Sequence, residues 1–264
     1  MLIVLSPAKI QNFSSQQLLK DFTQPEFLNE AETLVNEMRQ LSAFDLSKLL
    51  GINSNLSQLN ADRYFNWHRP FTLENSKQAV MVFNGEVFHG LDAGSLSEDD
   101  FVYLQSHLRI LSGLYGILRP LDLIQPYRLE ISTKLPTSKG KNLYAFWGEQ
   151  LTNSVNKAVK ASGKPKVILN LASGEYFNSI DRKLLNADVI DFEFLEIKDE
   201  EYKSIVMYTK KARGLMARYI VDNRIEEVEE LIGFSAEDYW FSEKLSSKLK
   251  FVFTRETLNS RAKQ

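Results

Sequence analysis

Residues Leu2 to Leu5 form an unbroken apolar run that ends at once in Ser6-Pro7-Ala8-Lys9. Such a run reads as a strand buried on both faces, in the middle of a sheet. A central strand needs hydrogen-bonding neighbours on both edges. The roughly 75 residues that follow read as mainly helical, so those neighbours must come from much later in the chain. One domain spanning residues 1–264 is therefore expected rather than two.

The rest of the chain supplies the pieces. Leu28, Ala31, Leu34, Val35, Met38 and Leu41 trace a helical stripe after Pro25. Phe44 to Gly51 reads as a helix stopped by glycine, and Ser54 to Trp67 as a third, capped by Asn53 or Asn55. Ala79 to Phe83 and Lys166 to Ala172 read as further buried strands, with a glycine-rich loop at Gly85 to Gly94 between them. Ser95 or Ser97 caps a helix whose first turn carries Glu98, Asp99 and Asp100. Pro126 to Ser132 alternates like a strand, and Asn142 to Ala161 reads as one helix. Val189 to Ile197 and Tyr202 to Tyr208 suggest a hairpin with its turn at Lys198 to Glu201. Phe251 to Phe253 suggest a last strand, and the end near Gln264 is expected to fray. Strands and helices alternate irregularly, which predicts an α+β fold: a single mixed domain with a central sheet and flanking helices.

Composition narrows the chemistry. The chain has no cysteine, so disulfide, thiol-peroxidase and cysteine-ligated metal chemistry are excluded. Its three histidines, His68, His89 and His107, are far apart and form no metal-binding spacing, so no metal site and no cofactor are expected. Asp99-Asp100 and Glu200-Glu201 read as caps or solvated turns, not as an iron site. No apolar run reaches the ~20 residues of a membrane span, and the first residues lack the basic region of a signal peptide. A cytoplasmic protein without membrane contact is expected.

The formal net charge is only −2, so affinity for polyanions must come from local clustering. Three basic stretches stand out. In the first, an amphipathic helix bearing Phe101, Leu104, Leu108 and Leu111 runs into a turn at Gly113 and Gly116, flanked by Arg109 and Arg119. Exposed amides between arginines suit a phosphate. The second is the acid-free loop with Lys134, Lys139 and Lys141. The third is a helix with Lys210, Lys211, Arg213, Arg218 and Arg224, whose face is floored by Gly214 and Ala217. Glycine costs about 1 kcal/mol in a helix interior, so Gly214 invites an explanation in close approach.

A second constellation lies at apparent strand ends: Lys9, Asn84, Arg128, Glu130, Asn170, Ser173 and Glu175. There Glu130 or Glu175 would serve as general acid or base, and Lys9 and Arg128 would hold an anion. No established catalytic motif accompanies them.

Four longer motifs resemble one family. They are Leu5-Ser-Pro-Ala-Lys9, the stretch from Leu111 to Glu130 (Leu-Ser-Gly-Leu-Tyr-Gly-Ile-Leu-Arg-Pro-Leu-Asp-Leu-Ile-Gln-Pro-Tyr-Arg-Leu-Glu), Asn170-Leu-Ala-Ser-Gly-Glu-Tyr-Phe177 and Lys210-Lys-Ala-Arg-Gly-Leu-Met-Ala-Arg218. In this order they resemble the YaaA peroxide-stress family of bacteria. The resemblance implies survival of hydrogen peroxide through limited free iron, an α+β domain with a positively charged cleft, and a helix-hairpin-helix element mapped onto Leu104 to Leu121. It also implies binding of double-stranded or branched DNA. Non-sequence-specific DNA binding in peroxide stress is thus the leading expectation; an enzyme acting on a phosphorylated or nucleotide substrate is the alternative.

Overall fold

The computed structural model describes residues 1–14, 19–198 and 201–256. In chain order it comprises β1 (Leu2–Leu5), α1 (Leu28–Arg39), α2 (Ala43–Leu50), α3 (Ser54–Asn66), β2 (Lys77–Gln78), α4 (Ala79–Val82), α5 (Glu86–Leu91), α6 (Glu98–His107), β3 (Leu108–Ser112), β4 (Gly116–Leu118) and β5 (Leu123–Ile124). It continues with α7 (Leu143–Trp147), α8 (Gln150–Ala161), β6 (Val167–Leu171), α9 (Gly174–Phe177), β7 (Asp188–Lys198), β8 (Glu201–Lys203), α10 (Val206–Asn223), β9 (Trp240–Phe241) and β10 (Lys250–Glu256).

The opening strand finds its partners where required. β1 runs parallel to β3 on one edge and to β6 on the other, pairing Leu5 with Ile110 and with Leu171. Its four residues are at most 1% exposed. Among the described residues the main sheet has eight strands, in the order β4-β3-β1-β6-β7-β10-β9, with β8 added to β7. The centre is parallel and the edges antiparallel. One hydrophobic cluster runs from Met1 to Phe253. This is the mixed α+β architecture with flanking helices that the irregular alternation predicts.

Local signals with a single mechanism hold. The buried residues of α1 are Leu28, Ala31, Leu34, Val35 and Met38. Asn53 caps α3 through the Leu56 amide, Ser97 and Asp100 form a reciprocal capping box on α6, and Gly51 ends α2 with φ 62°. The expected chain end at Gln264 and the centre of the 198–201 turn lie outside the described residues.

Six expectations need correction. Ala79–Val82 is a helix, not a strand: the Ala79 and Val80 amides donate to the carbonyls of Asp122 and Pro120, giving its first turn partners. Five apolar residues are too few for periodicity to tell the two apart. The Gly85–Gly94 loop contains α5. Pro126–Ser132 joins no ladder and ends in a turn at Ile131–Ser132; side chains satisfy part of its backbone, Gln11 Oε1 accepting from the Tyr127 amide and the Tyr64 hydroxyl donating to the Arg128 carbonyl. The helix expected over Asn142–Ala161 breaks at Gly148, which has φ 48°. Tyr202–Tyr208 gives way to α10 from Val206 onward.

The sixth concerns the two-glycine stretch. The helix-hairpin-helix mapped onto Leu104–Leu121 is instead the end of α6 followed by a β-hairpin, β3 to β4. Gly113 and Gly116 are buried. A Cβ on Gly113 would stand 2.1 Å from the Leu129 carbonyl oxygen, and one on Gly116 would stand 2.8 Å from the Trp147 ring. The glycines admit protein neighbours, so their amides do not form an outward phosphate cradle.

Gly214 has a similar explanation. A Cβ there would stand 1.8 Å from the Val87 carbonyl oxygen, and one on Gly90 would stand 2.3 Å from the Lys211 carbonyl oxygen. The two glycines let α5 and α10 cross backbone to backbone. The small residues of α10 thus belong to a helix crossing and do not floor an anion site.

Two outcomes follow. Gly214→Ala gains about 1 kcal/mol in helix propensity, but the clash dominates, and we expect a net loss of at least ~1–3 kcal/mol in urea unfolding. Beside β6, burial raises the Asp191 carboxyl, yet the Arg182 guanidinium (2.6 and 3.0 Å) and the Asn170 amide (2.7 Å) outweigh it and hold its pKa below the ordinary value. That stability is present above the unfolded pKa of about 3.9 and lost as pH falls through the lower folded value. Asp191→Asn should therefore cost up to ~1 kcal/mol at pH 7, with the gap to the parent closing as pH falls below the unfolded pKa of about 3.9.

Candidate functional site

Because β1 and β6 are adjacent and parallel, their chain exits lie side by side. Ser6 leaves β1 and Ser173 leaves β6. The Ser173 amide donates to Ser6 Oγ at 2.8 Å, and Ser6 Oγ donates to Ser173 Oγ at 3.2 Å, tying the exits together. The carboxyl ends of parallel strands are where open α/β sheets place ligands.

Two further walls close on these exits. The first is Tyr127–Glu130, seated on the β3–β4 hairpin because Gly113 has no side chain, and fixed by the Tyr127 hydroxyl against Ser112 Oγ at 2.7 Å. The second comes from the α5–α10 crossing, which presents Asn84, Glu86 and His89 together with Lys210 and Arg213. His89 Nε2 meets Asn84 Oδ1 at 2.7 Å, and its Nδ1 lies 3.5 Å from Glu86. The result is a cleft of about 400 Å³, within the range of roughly 300–1,000 Å³ typical of small-ligand sites.

The strand-end constellation meets here. Lys9, Asn84, Arg128, Glu130, Ser173 and Glu175 all line the cleft. Glu130 Oε1 lies 3.6 Å from Lys9 Nζ and 3.3 Å from Arg128 Nε. Glu175 Oε1 accepts from Ser132 Oγ at 2.5 Å. Burial, and then the carboxylates of Glu130 and Glu175, push the Tyr176 hydroxyl far above the ordinary phenol value, so it stays a neutral donor. Asn170, by contrast, is committed to Asp191.

Among the described residues, three buried side-chain nitrogen or oxygen atoms have no hydrogen-bond partner: Arg128 Nε, Glu130 Oε1 and Arg213 Nε. All three residues line this cleft. Glu130 and Arg128 attract by charge without hydrogen-bond geometry. Arg213 has no ion pair among the described residues, and burial lowers its pKa. Orphaned buried polar atoms are rare in folded proteins, and their concentration marks a site built to meet something polar.

The residues expected to bind nucleic acid divide three ways. Lys210 and Arg213 line the cleft. Lys134, Lys139 and Lys141 are exposed on the 132–144 loop, whose ends are pinned to one cleft residue: Ser132 to the Glu175 carboxylate, and the Tyr144 hydroxyl to the Glu175 carbonyl at 2.7 Å. The others are engaged within the protein. Arg109 donates to the carbonyls of Gln105 and Leu108, its pKa pushed down to about 10 by burial and by Arg119. Arg119 pairs with buried Asp122 at 2.8 Å, Lys211 with Glu237, Arg218 with Asp222 at 2.7 Å, and Arg224 with Asp100 at 2.7 Å. The three basic stretches therefore do not share one trough; only the third contributes cations to the cleft lining.

Sequence reasoning passed over Gln11, Glu86, His89 and Tyr176 as cleft residues. Glu86 and His89 have the i, i+3 spacing of a helix face, a signal masked by reading Gly85–Gly94 as a loop.

A family model described as peroxide stress protein YaaA matches residues 1–245 of the chain.

An uncompensated buried guanidinium costs stability. Arg213→Met should raise the stability of the ligand-free protein by on the order of 1 kcal/mol, a rise of about 2–4 °C in thermal midpoint.

Proposed function

The chain belongs to the peroxide stress protein YaaA family, and hence has a role in peroxide stress; from that premise we propose that it acts there by binding DNA, duplex or branched, without sequence readout. One observation carries this reading. The cleft gathers Lys9, Arg128, Lys210 and Arg213, and the acid-free loop bearing Lys134, Lys139 and Lys141 is pinned at its rim through Glu175. Exposed lysines along a rim neutralise successive phosphates and release counterions, which gives affinity without reading bases. Arg109 and Arg119 contribute through the fold, not through direct contact. Among the described residues no helix is long and apolar enough to cross a membrane; a cytoplasmic site of action accords with a DNA partner. Lowered intracellular iron is in this reading a downstream effect of the protein.

A second reading is favoured by the Lys9–Glu130 distance of 3.6 Å and by Glu175 lining the same cleft. It is an enzyme acting on a phosphorylated or nucleotide substrate, with Glu130 or Glu175 moving a proton while Lys9 and Arg128 hold the anion. Turnover of nucleotide substrates, lost in Glu130→Gln, would identify it.

The DNA reading is tested by fluorescence anisotropy with duplex and four-way-junction DNA across a salt series. Affinity should fall steeply with salt. Replacing Lys134, Lys139 and Lys141 together by Gln should reduce the log–log slope by about 2–3 and weaken all sequences alike. Binding indifferent to salt, or a slope unchanged in the triple variant, overturns it.

A further inference from the structure

The cleft's unmet donors and acceptor define a ligand more narrowly than a polyanion surface does. Its lining carries four permanent cations, Lys9, Arg128, Lys210 and Arg213, and three carboxylates, Glu86, Glu130 and Glu175. Each carboxylate has a partner. Glu86 lies 3.5 Å from His89, Glu175 accepts from Ser132, and Glu130 sits between Lys9 and Arg128. Arg213 and Lys210, one turn apart on α10, have no ion-pair partner among the described residues; with Glu86 and Glu175 held by a histidine and a serine, the four cations and three carboxylates leave the lining with one net positive charge.

A phosphomonoester carries about −1.5 to −2 charges at neutral pH and offers three acceptor oxygens. Its oxygens answer the unmet donors of Arg128 and Arg213, and a guanidinium fork grips it by paired hydrogen bonds. An internal phosphodiester offers only two free oxygens and continues into sugar on both sides. A cleft of about 400 Å³ has room for roughly one nucleotide. Glu130 Oε1 is an unmet acceptor and asks the same ligand for an O–H or N–H donor, which the sugar hydroxyl or base amine of a nucleotide supplies.

We propose that the cleft binds the terminal phosphate of a nucleotide, either a free mononucleotide or the phosphorylated end of a DNA strand. Arg213 and Arg128 donate to the phosphate, and Glu130 accepts from the nucleoside. The strand-end form rests on the DNA reading above; the free-nucleotide form does not.

The experiment uses the full chain and reads a ratio. Anisotropy compares one single-stranded oligonucleotide ending in 5′-phosphate, 3′-phosphate or hydroxyl, and thermal midpoints are followed with AMP and with inorganic phosphate. The expected result is roughly tenfold or greater preference for a phosphorylated end, with AMP competing and raising the midpoint. The preference should fall toward unity in Arg213→Gln and be only partly kept in Arg213→Lys, which retains charge but not the fork. In the triple lysine variant absolute affinity should drop while the ratio persists. Circular dichroism shows whether each variant is folded. A rise in midpoint with AMP but equal affinity for all ends confines the site to free nucleotides. Response to inorganic phosphate alone, equal affinity for all ends with no AMP effect, or a preference surviving in folded Arg213→Gln overturns the proposal. End preference or AMP binding without salt-dependent duplex binding would leave this inference standing and remove the DNA reading; the converse would do the opposite.

Discussion

The structure depends on the ladder that holds β1 between β3 and β6. Four apolar residues with two unpaired backbone edges cannot rest at a surface, and they recruit strands from more than a hundred residues away. Once β3 and β6 run parallel on either side, the exits at Ser6 and Ser173 must emerge together. The cleft forms there, and the polar residues that follow each strand become its lining. A hydrogen-bonding requirement at the start of the chain thus decides where its chemistry is found.

The cleft is assembled against local stability. Arg213 lies mostly out of water with no counter-charge among the described residues, and Arg128 and Glu130 attract each other in a geometry that makes no hydrogen bond. Elsewhere buried charges are satisfied: Glu196 is fully buried but bonded to Arg255 and Tyr239, and Asp122 to Arg119 and Thr23. The contrast within one chain separates groups satisfied by the fold from groups the fold leaves without hydrogen-bond partners.

Much of this was legible in the residues. β1, β6 and the capped helices follow from runs and caps whose physics is local. Lys9 and Glu175 reach the cleft as residues that follow strands, whereas Arg128 and Glu130 reach it from a stretch that joins no strand. What misled was local ambiguity and long-range contact. Ala79–Val82 is too short for periodicity to decide, and the carbonyls of Pro120 and Asp122 decide it. The glycines at 113, 116 and 214 announce close approach, but a sequence does not say whether a ligand or another part of the protein approaches. Arg119 and Lys211 read as free cations because Asp122 and Glu237 become their partners only through the details of a turn or tertiary structure, whereas the Arg218–Asp222 pair has the i, i+4 spacing of one helix face and was legible.

The crossing of α5 and α10 has a mechanical consequence. With Gly90 and Gly214 in backbone contact, no side chain intervenes to act as a cushion between the helices. Glu86 and His89 on one, and Lys210 and Arg213 on the other, are carried as a single jaw facing the loops that leave β1 and β6. The gape of that jaw is set by main-chain thickness. Sequence drift can therefore retune its teeth, but widening the bite requires a different hinge.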